Sequence, residues 1–248
     1  MTNINQKPVA LVTGAAGVLG EAVARRLHAG GQMVVLLDVD ENSLQTISES
    51  MGESAVAITL DVSDPHAVAS VCEDIQKNYG AIQILVNNAG ILSNNKAAQT
   101  SDEEWRRVLS INLDGAFYLS RACLPEMKAG GFGRIINVCS LAMKTGGLTA
   151  GTAYTTSKGA MGAMTFSLAR ESAKFGVTVN GIAPAYINTP MVTEQLTEEQ
   201  RQKLLHDIPV GRFCEADEVA ELVYYLSRPI AGFITGEIID INGGLHLD

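Results

Sequence analysis

Along the chain, short runs that are apolar throughout alternate with longer stretches in which apolar residues recur every three to four positions. The runs are VALVT around 8–13, MVVLLD at 33–38, AVAITL at 55–60, IQILVN at 82–87, GRIINVCS at 133–140, GVTVNGIA at 176–183 and GEIIDI at 236–241. They are rich in β-branched residues and do not alternate with polar ones, as befits strands buried on both faces. Helical periodicity covers 19–30, 41–50, 64–79, 102–128, 153–175 and 215–227. Asp64-Pro65 and Ser101 supply cap and first-turn residues for two of these stretches. Such regular alternation predicts an α/β fold, a doubly wound sheet of seven parallel strands with helices on both faces. No linker, repeat or low-complexity tract divides the chain, so 1–248 reads as one domain.

One stretch breaks the rhythm. Residues 188–214, NTPMVTEQLTEEQRQKLLHDIPVGRFC, are polar and helical in pattern and follow a strand end, where ligands sit in sheets of this kind. They read as a candidate substrate lid or as an ordinary surface helix.

Residues 12–22, VTGAAGVLGEA, set Gly14, Gly17 and Gly20 three apart between a strand run and a helical pattern. Glycine permits a tight turn, lets the backbone approach a pyrophosphate and leaves helix N-terminal amides open to an anion. The triplet alone is a common turn signal; the strand before it and the helix after it point to a nucleotide phosphate site. Asp38 closes the second run some twenty residues on. A carboxylate there accepts hydrogen bonds from adenosine ribose hydroxyls and repels a 2′-phosphate. No Arg or Lys stands in 14–20 or 38–43, where Asp38, Asp40 and Glu41 gather, so electrostatics select NAD over NADP. Asp38 is also placed to cap the helix that begins near Glu41.

Composition narrows the partners. A net charge of −9 with no Lys/Arg cluster speaks against nucleic acid and against an anionic membrane. The polar start MTNINQKP lacks the apolar core of a secretory signal, and no run has the length of a membrane span. Cys72, Cys123, Cys139 and Cys214 lie far apart with no CxxC pair and read as reduced packing residues of a cytoplasmic protein. The four histidines are scattered, and none has a second ligand at metal spacing.

Tyr154 and Lys158 lie four apart, on one face of a helix. A phenol titrates near pH 10, too high for a base at neutral pH, and a nearby ammonium favours its ionised form. A positively charged nicotinamide pushes the same way. Ser140 ends the fifth strand run fourteen residues before Tyr154, where its hydroxyl would hold a substrate oxygen while Tyr154 moves the proton.

With these motifs in place, the chain resembles the short-chain dehydrogenase/reductases, nearly end to end and in their compact single-domain branch. That resemblance implies a Rossmann-type fold and carries Asn112, Ser140, Tyr154 and Lys158 over as the catalytic set. Asn87-Asn88-Ala89-Gly90 is similar to the family's NNAG segment, so Asn88, Ala89 and Gly90 would support the sheet and contact the adenosine side of the cofactor. Asn112, in SINLDGAFYLSRA, would help to hold a relay water near Lys158. Asp61-Val62, in LDVSD, resembles the pair that flanks the adenine. NGIAPAYINT, at 180–189, resembles the segment after the sixth strand, in which Pro184, Ile187 and Thr189 would lie against the nicotinamide. Gly14, Gly17, Val18 and Leu19 would carry the phosphates, and TGEIIDINGG is similar to the family's closing strand.

Three features depart from the family pattern. Its TGxxxGxG would put glycine at position 18, where this chain has Val18, whose side chain must turn away from a dinucleotide. TGxxGxxG is the spacing of the extended branch, but this chain has no room for the substrate domain those enzymes append. Pro184-Ala185 replaces the usual Pro-Gly, which narrows the floor beside the nicotinamide or reflects a backbone of negative φ. The span from Ser140 to Tyr154 is one residue longer than is common, which predicts a larger, glycine-flexed wall.

The pocket walls are expected from 91–96, 141–151, 185–192 and the lid, with Leu141, Met143, Tyr186 and Met191 as apolar or adaptable groups. Lys144 is the one cation on its loop, either solvated or facing an acidic substrate. The main reading is an NAD-dependent oxidoreductase of a secondary alcohol or its ketone, with oxidation the favoured direction. The alternatives are a 3-oxoacyl-[acyl-carrier-protein] reductase, which would use NADPH and a basic docking patch, and a non-catalytic dinucleotide-binding protein. Small and apolar residues on 102–128 and 153–175 (Ala116, Phe117, Ala122, Ala160, Phe166) exceed what one core face needs. The resemblance makes these helices an interface in a homotetramer.

Overall fold

The computed structural model describes residues 7–189 and 197–247. Seven parallel strands form one sheet in the order β3-β2-β1-β4-β5-β6-β7. They are β1 (Val9–Thr13), β2 (Met33–Asp38), β3 (Ala55–Thr59), β4 (Ile82–Asn87), β5 (Gly133–Val138), β6 (Val177–Pro184) and β7 (Ile238–Ile241). The helices between them are α1 (Val18–Ala29), α2 (Glu41–Met51), α3 (Pro65–Tyr79), α4 (Asp102–Leu109), α5 (Gly115–Gly130), α6 (Ala142–Thr145), α7 (Thr152–Ser172), α8 (Glu198–Asp207) and α9 (Ala216–Ser227).

Both sheet faces are apolar because alternate residues of each strand feed different cores. Ala10, Val12, Val34 and Leu36 pack with Val23 and Leu27 of α1, Leu44 of α2 and Val223 of α9. Val9, Leu11, Val35 and Leu37 pack on the opposite face with Val68 and Ile75 of α3, Leu119 of α5 and Leu168 of α7. Side chains do the capping foreseen for two helices: Asp64 accepts the amides of His66 and Ala67, and Ser101 accepts that of Glu104.

The structure divides the helical run 102–128. α4 passes into a π-helical stretch, Ser110–Asp114, before α5 begins. Dihedrals stay helical across the junction (Leu109 φ −66, Gly115 φ −58), so the apolar periodicity continues while the hydrogen-bond register slips. At Gly115 a Cβ would lie 2.7 Å from Val62 Cγ2, so glycine fits where the start of α5 packs against the loop after β3.

Candidate active site

The strand order reverses between β1 and β4, and the crevice at such a switch point is where open α/β sheets bind ligands. Gly14 leaves β1 with φ +63, a left-handed turn suited to glycine. α1 then rises so close that a Cβ on Gly20 would lie 2.0 Å from Gly14 O. Asn88 pins this turn from β4: its Nδ2 donates to Thr13 O at 2.9 Å and Gly14 O at 3.1 Å. Thr13 Oγ1 returns the tie by accepting the amides of Asn88 and Ala89, each at 2.9 Å.

A cleft of about 530 Å³ opens above the switch point. Gly14, Gly17, Val18, Leu19 and Asp38 line its β1–β2 side, with Asn88, Ala89 and Gly90 at the end of β4. Ser140, Tyr154, Lys158, Pro184, Ile187 and Thr189 line the side beyond β5 and β6. Three observations fit a dinucleotide here. Gly17, the N-cap of α1, makes no side-chain cap, which leaves the helix N-terminus open to an anion. A Cβ at Gly17 would meet only Gly14 O, at 3.5 Å, so space lies in front of that helix end. Asp38 stands at the cleft rim, with Oδ2 accepting Ala16 N at 3.1 Å and Oδ1 accepting Val39 N at 2.7 Å. Asp38 does not cap α2; Asp40 does, accepting Ser43 N.

On the other side, Tyr154 and Lys158 face the cleft from the first turns of α7. Lys158 is buried, and its Nζ donates to Val138 O at 2.6 Å, at the end of β5. The same Nζ lies 5.9 Å from the Tyr154 ring centroid. Burial pushes the Tyr154 phenol above its ordinary value of 10, while a hydrogen bond with Ser140 pulls it back. The expected lowering by the lysine is therefore absent from the protein's own groups: desolvation wins. The same burial lowers Lys158 to about 8. Ser140 lies two residues past β5 rather than ending it, with its Oγ accepting Ala142 N.

α7 is held in rotation by a buried polar rivet that the sequence reading missed. Asn87 of β4 donates to Asn137 Oδ1 of β5 at 2.8 Å, and Asn137 Nδ2 donates to Thr165 Oγ1 of α7 at 2.8 Å. Asn87 was legible only as part of NNAG; Asn137, inside an apolar strand, was the available signal. Cys139, a buried thiol pushed up to about 11 by desolvation, and Val138 also line the cleft and were missed, as was Ala16.

Three candidate residues are not among those lining the cleft. Asp61 is tied into its own turn, accepting Ser63 N at 2.9 Å and Ser63 Oγ at 2.7 Å. Val62 is buried against Gly115. Asn112, in the π-helical stretch, is fully buried behind Gly90; its Oδ1 accepts Ile91 N at 2.8 Å and its Nδ2 donates to Ile91 O and Ser157 Oγ. Val18 lines the cleft and is 42 % exposed. Ala185 also lines the cleft and has a negative φ, the backbone that one reading of Pro184-Ala185 expects.

Lys144 neither extends into solvent nor meets the cleft: its Nζ lies 2.7 Å from Asp240 Oδ2 of β7, with most of the side chain buried. Leu141 is buried and is not among the residues that line the cleft. Of the candidate lid, residues 190–196, with Met191, lie outside the described residues. The described ends are pinned together, Asn188 N donating to Cys214 O and Cys214 N to Tyr186 O. Among the described residues, no helix is long and apolar enough to cross a membrane.

A parallel doubly wound sheet, a glycine turn at its switch point and a Ser–Tyr–Lys cluster across the cleft define a nicotinamide-dinucleotide oxidoreductase. Residues 14–246 match a family model described as enoyl-(acyl carrier protein) reductase. The chain is 39% identical to the 3-oxoacyl-[acyl-carrier-protein] reductase FabG of Haemophilus influenzae, over 98% of this chain and 99% of that one. It is 40% identical to FabG of Vibrio cholerae, over 96% of this chain and 97% of that one. A crystal structure described as short-chain dehydrogenase/reductase SDR:glucose/ribitol dehydrogenase, from Brucella melitensis, superposes with a TM-score of 0.91 at 34% identity, covering 98% of both chains. The chain belongs to the short-chain dehydrogenase/reductase family.

Proposed function

We propose that the chain exchanges a hydride between a nicotinamide dinucleotide, NAD(H) in preference to NADP(H), and the 3-position of a 3-oxoacyl or 3-hydroxyacyl thioester. The observation that carries it is the Ser140–Tyr154–Lys158 cluster facing the cleft opposite the glycine turn. The relatives named above supply the substrate class and favour it over the general secondary alcohol. Asp38 supplies the cofactor preference, since its carboxylate and the neighbouring Asp40 and Glu41 repel a 2′-phosphate.

When bound, the dinucleotide supplies or accepts the hydride at its nicotinamide ring. Tyr154 gives its phenolic proton to the substrate oxygen as the carbonyl is reduced, and takes it back in oxidation. Burial raises this phenol, so it keeps its proton at neutral pH, the form that protonates a carbonyl oxygen in reduction. Ser140 donates a hydrogen bond to the same substrate oxygen, and Lys158 places positive charge beside the phenol. Asn112 positions Ile91, at the cleft wall, through both backbone groups. Gly14, Gly17, Val18 and Leu19 would hold the phosphates of the dinucleotide, and Pro184, Ile187 and Thr189 would border its nicotinamide. Phe117 on α5 and Phe166 on α7 are 42% and 51% exposed, which supports pairing of copies through these helices in a homotetramer.

The test is initial rates with NADH and NADPH on a short 3-oxoacyl thioester, beside NAD reduction on a panel of secondary alcohols. NADH-driven reduction of the thioester is the expected result. Turnover of alcohols alone would favour the general dehydrogenase, a reading that Asp38 also supports. No turnover of either, with cofactor still bound, would leave a dinucleotide-binding protein.

A further inference from the structure

Residues 146–150 run between two segments whose neighbours line the cleft, the one that carries Lys96 after Ile91 and Leu92 and the one that carries Tyr186 between Ala185 and Ile187. Gly146 and Gly147 both have φ +76, so the chain leaves α6 in a left-handed run. Among the described residues, the amides and carbonyls of 147–150 make no backbone hydrogen bond. A segment with neither ladder nor helix of its own takes its shape from whatever side chains hold it.

Two ties hold it, one to each wall. Lys96 Nζ donates to Gly147 O at 2.9 Å and to Ala150 O at 2.6 Å. Lys96 follows Ile91 and Leu92, which line the cleft. Its own loop is secured, because Ser93 Oγ and Asn95 Nδ2 both donate to Glu104. At the far side the Thr149 and Tyr186 hydroxyls stand 3.3 Å apart. Tyr186 sits between Ala185 and Ile187, which line the opposite wall, and its carbonyl accepts Cys214 N. Underneath, Gly147 presses on the residue after Tyr154, since a Cβ there would come 2.3 Å from Thr155 Oγ1.

We infer that Lys96 is a specificity-determining positioning residue: it holds 146–150 as a strap across the substrate end of the cleft and so limits the length of acyl chain admitted. The inference rests on the proposed function for its substrate class. An ammonium shared by two carbonyls is a charge-assisted anchor, and no residue of the strap replaces it once it is removed. Shape selection of this kind acts on the distal part of the substrate and not on the reacting carbonyl.

The experiment compares wild type, Lys96→Met and Lys96→Arg on short- and long-chain 3-oxoacyl thioesters, together with hydrogen exchange at Gly151 and Thr152. Those two amides donate to Ser93 O and Asn95 O, so their protection reports whether the strap base stays docked. In Lys96→Met the long-to-short ratio of kcat/KM should rise by roughly tenfold, through KM more than kcat, with faster exchange at both amides. Arginine, which keeps the cationic donors, should restore most of both. An unchanged ratio in Lys96→Met overturns the inference, whether or not exchange rises. A wild type inactive on every thioester would instead sink the proposed substrate; the ratio is then read on short and long secondary alcohols, while the exchange readout stands unaltered.

Discussion

The Oδ2 atom of Asp38 accepts the amide of Ala16 at 3.1 Å, joining the end of β2 to the glycine turn that leaves β1. One carboxylate thus braces the phosphate turn and occupies the rim where an adenosine ribose would lie. Replacing Asp38 by serine and Val39, which is 67% exposed, by arginine removes the repulsion and adds a phosphate partner. Charge-assisted hydrogen bonds of this sort contribute about 1.5–3 kcal/mol, so kcat/KM for NADPH relative to NADH should rise roughly 10- to 100-fold. Steady-state kinetics with both cofactors checks it; an unchanged ratio would show that Asp38 does not face the ribose.

Tyr154→Phe removes the transferable proton and leaves the ring in place. Turnover should fall by about a hundred- to ten-thousand-fold, while the NADH dissociation constant, read by nicotinamide fluorescence, stays within a few-fold. Loss of binding along with turnover would mean that the hydroxyl holds the cofactor rather than serving proton transfer alone.

Lys158 predicts a pH signature in stability. Burial lowers it to about 8 from 10.5, so between those values the unfolded chain carries a proton that the folded chain has released. Its contribution to stability is therefore least favourable and flat below about pH 8. It then rises with pH through the window, by at most about 1.4 kcal/mol per unit. In denaturant titrations from about pH 7 to 10, wild type should gain on Lys158→Met above about pH 8. A constant gap would show that Lys158 does not titrate there.

The middle and last glycines of the triplet should separate fold from binding. Gly20→Ala drives a methyl to 2.0 Å from the Gly14 carbonyl, a backbone atom that cannot swing aside. Overpacking of this kind costs about 1–3 kcal/mol or more, and should appear as a lower melting temperature. Gly17→Ala meets nothing nearer than 3.5 Å, so melting should hardly move while cofactor affinity drops, since the methyl occupies space in front of the helix end. Equal thermal effects from both would place the strain elsewhere in the turn.

Much of the architecture was legible in advance because burial on two faces leaves a strong local trace. The seven strand runs match β1 to β7 to within two residues at each end, and Asp64 and Ser101 cap the helices that follow them. Less legible were features created by approach from a distance. The π-helical slip at 110–114 keeps the helical apolar period, so nothing in the pattern betrays it. Lys144 looked like a free cation because its partner, Asp240, is 96 residues away.

The order of apolar runs, the glycine triplet and the Tyr154–Lys158 spacing were settled by local chemistry: side-chain shape, backbone freedom and the pitch of a helix. Folding in three dimensions decided the rest. It carried Asn112 behind Gly90, tied Asp61 into its own turn, set Lys96 across to Gly147 and Ala150, and desolvated the Tyr154 phenol enough to push it up. Those outcomes depend on desolvation and on contacts between segments far apart in the chain, and neither is written in the periodicity of any one segment.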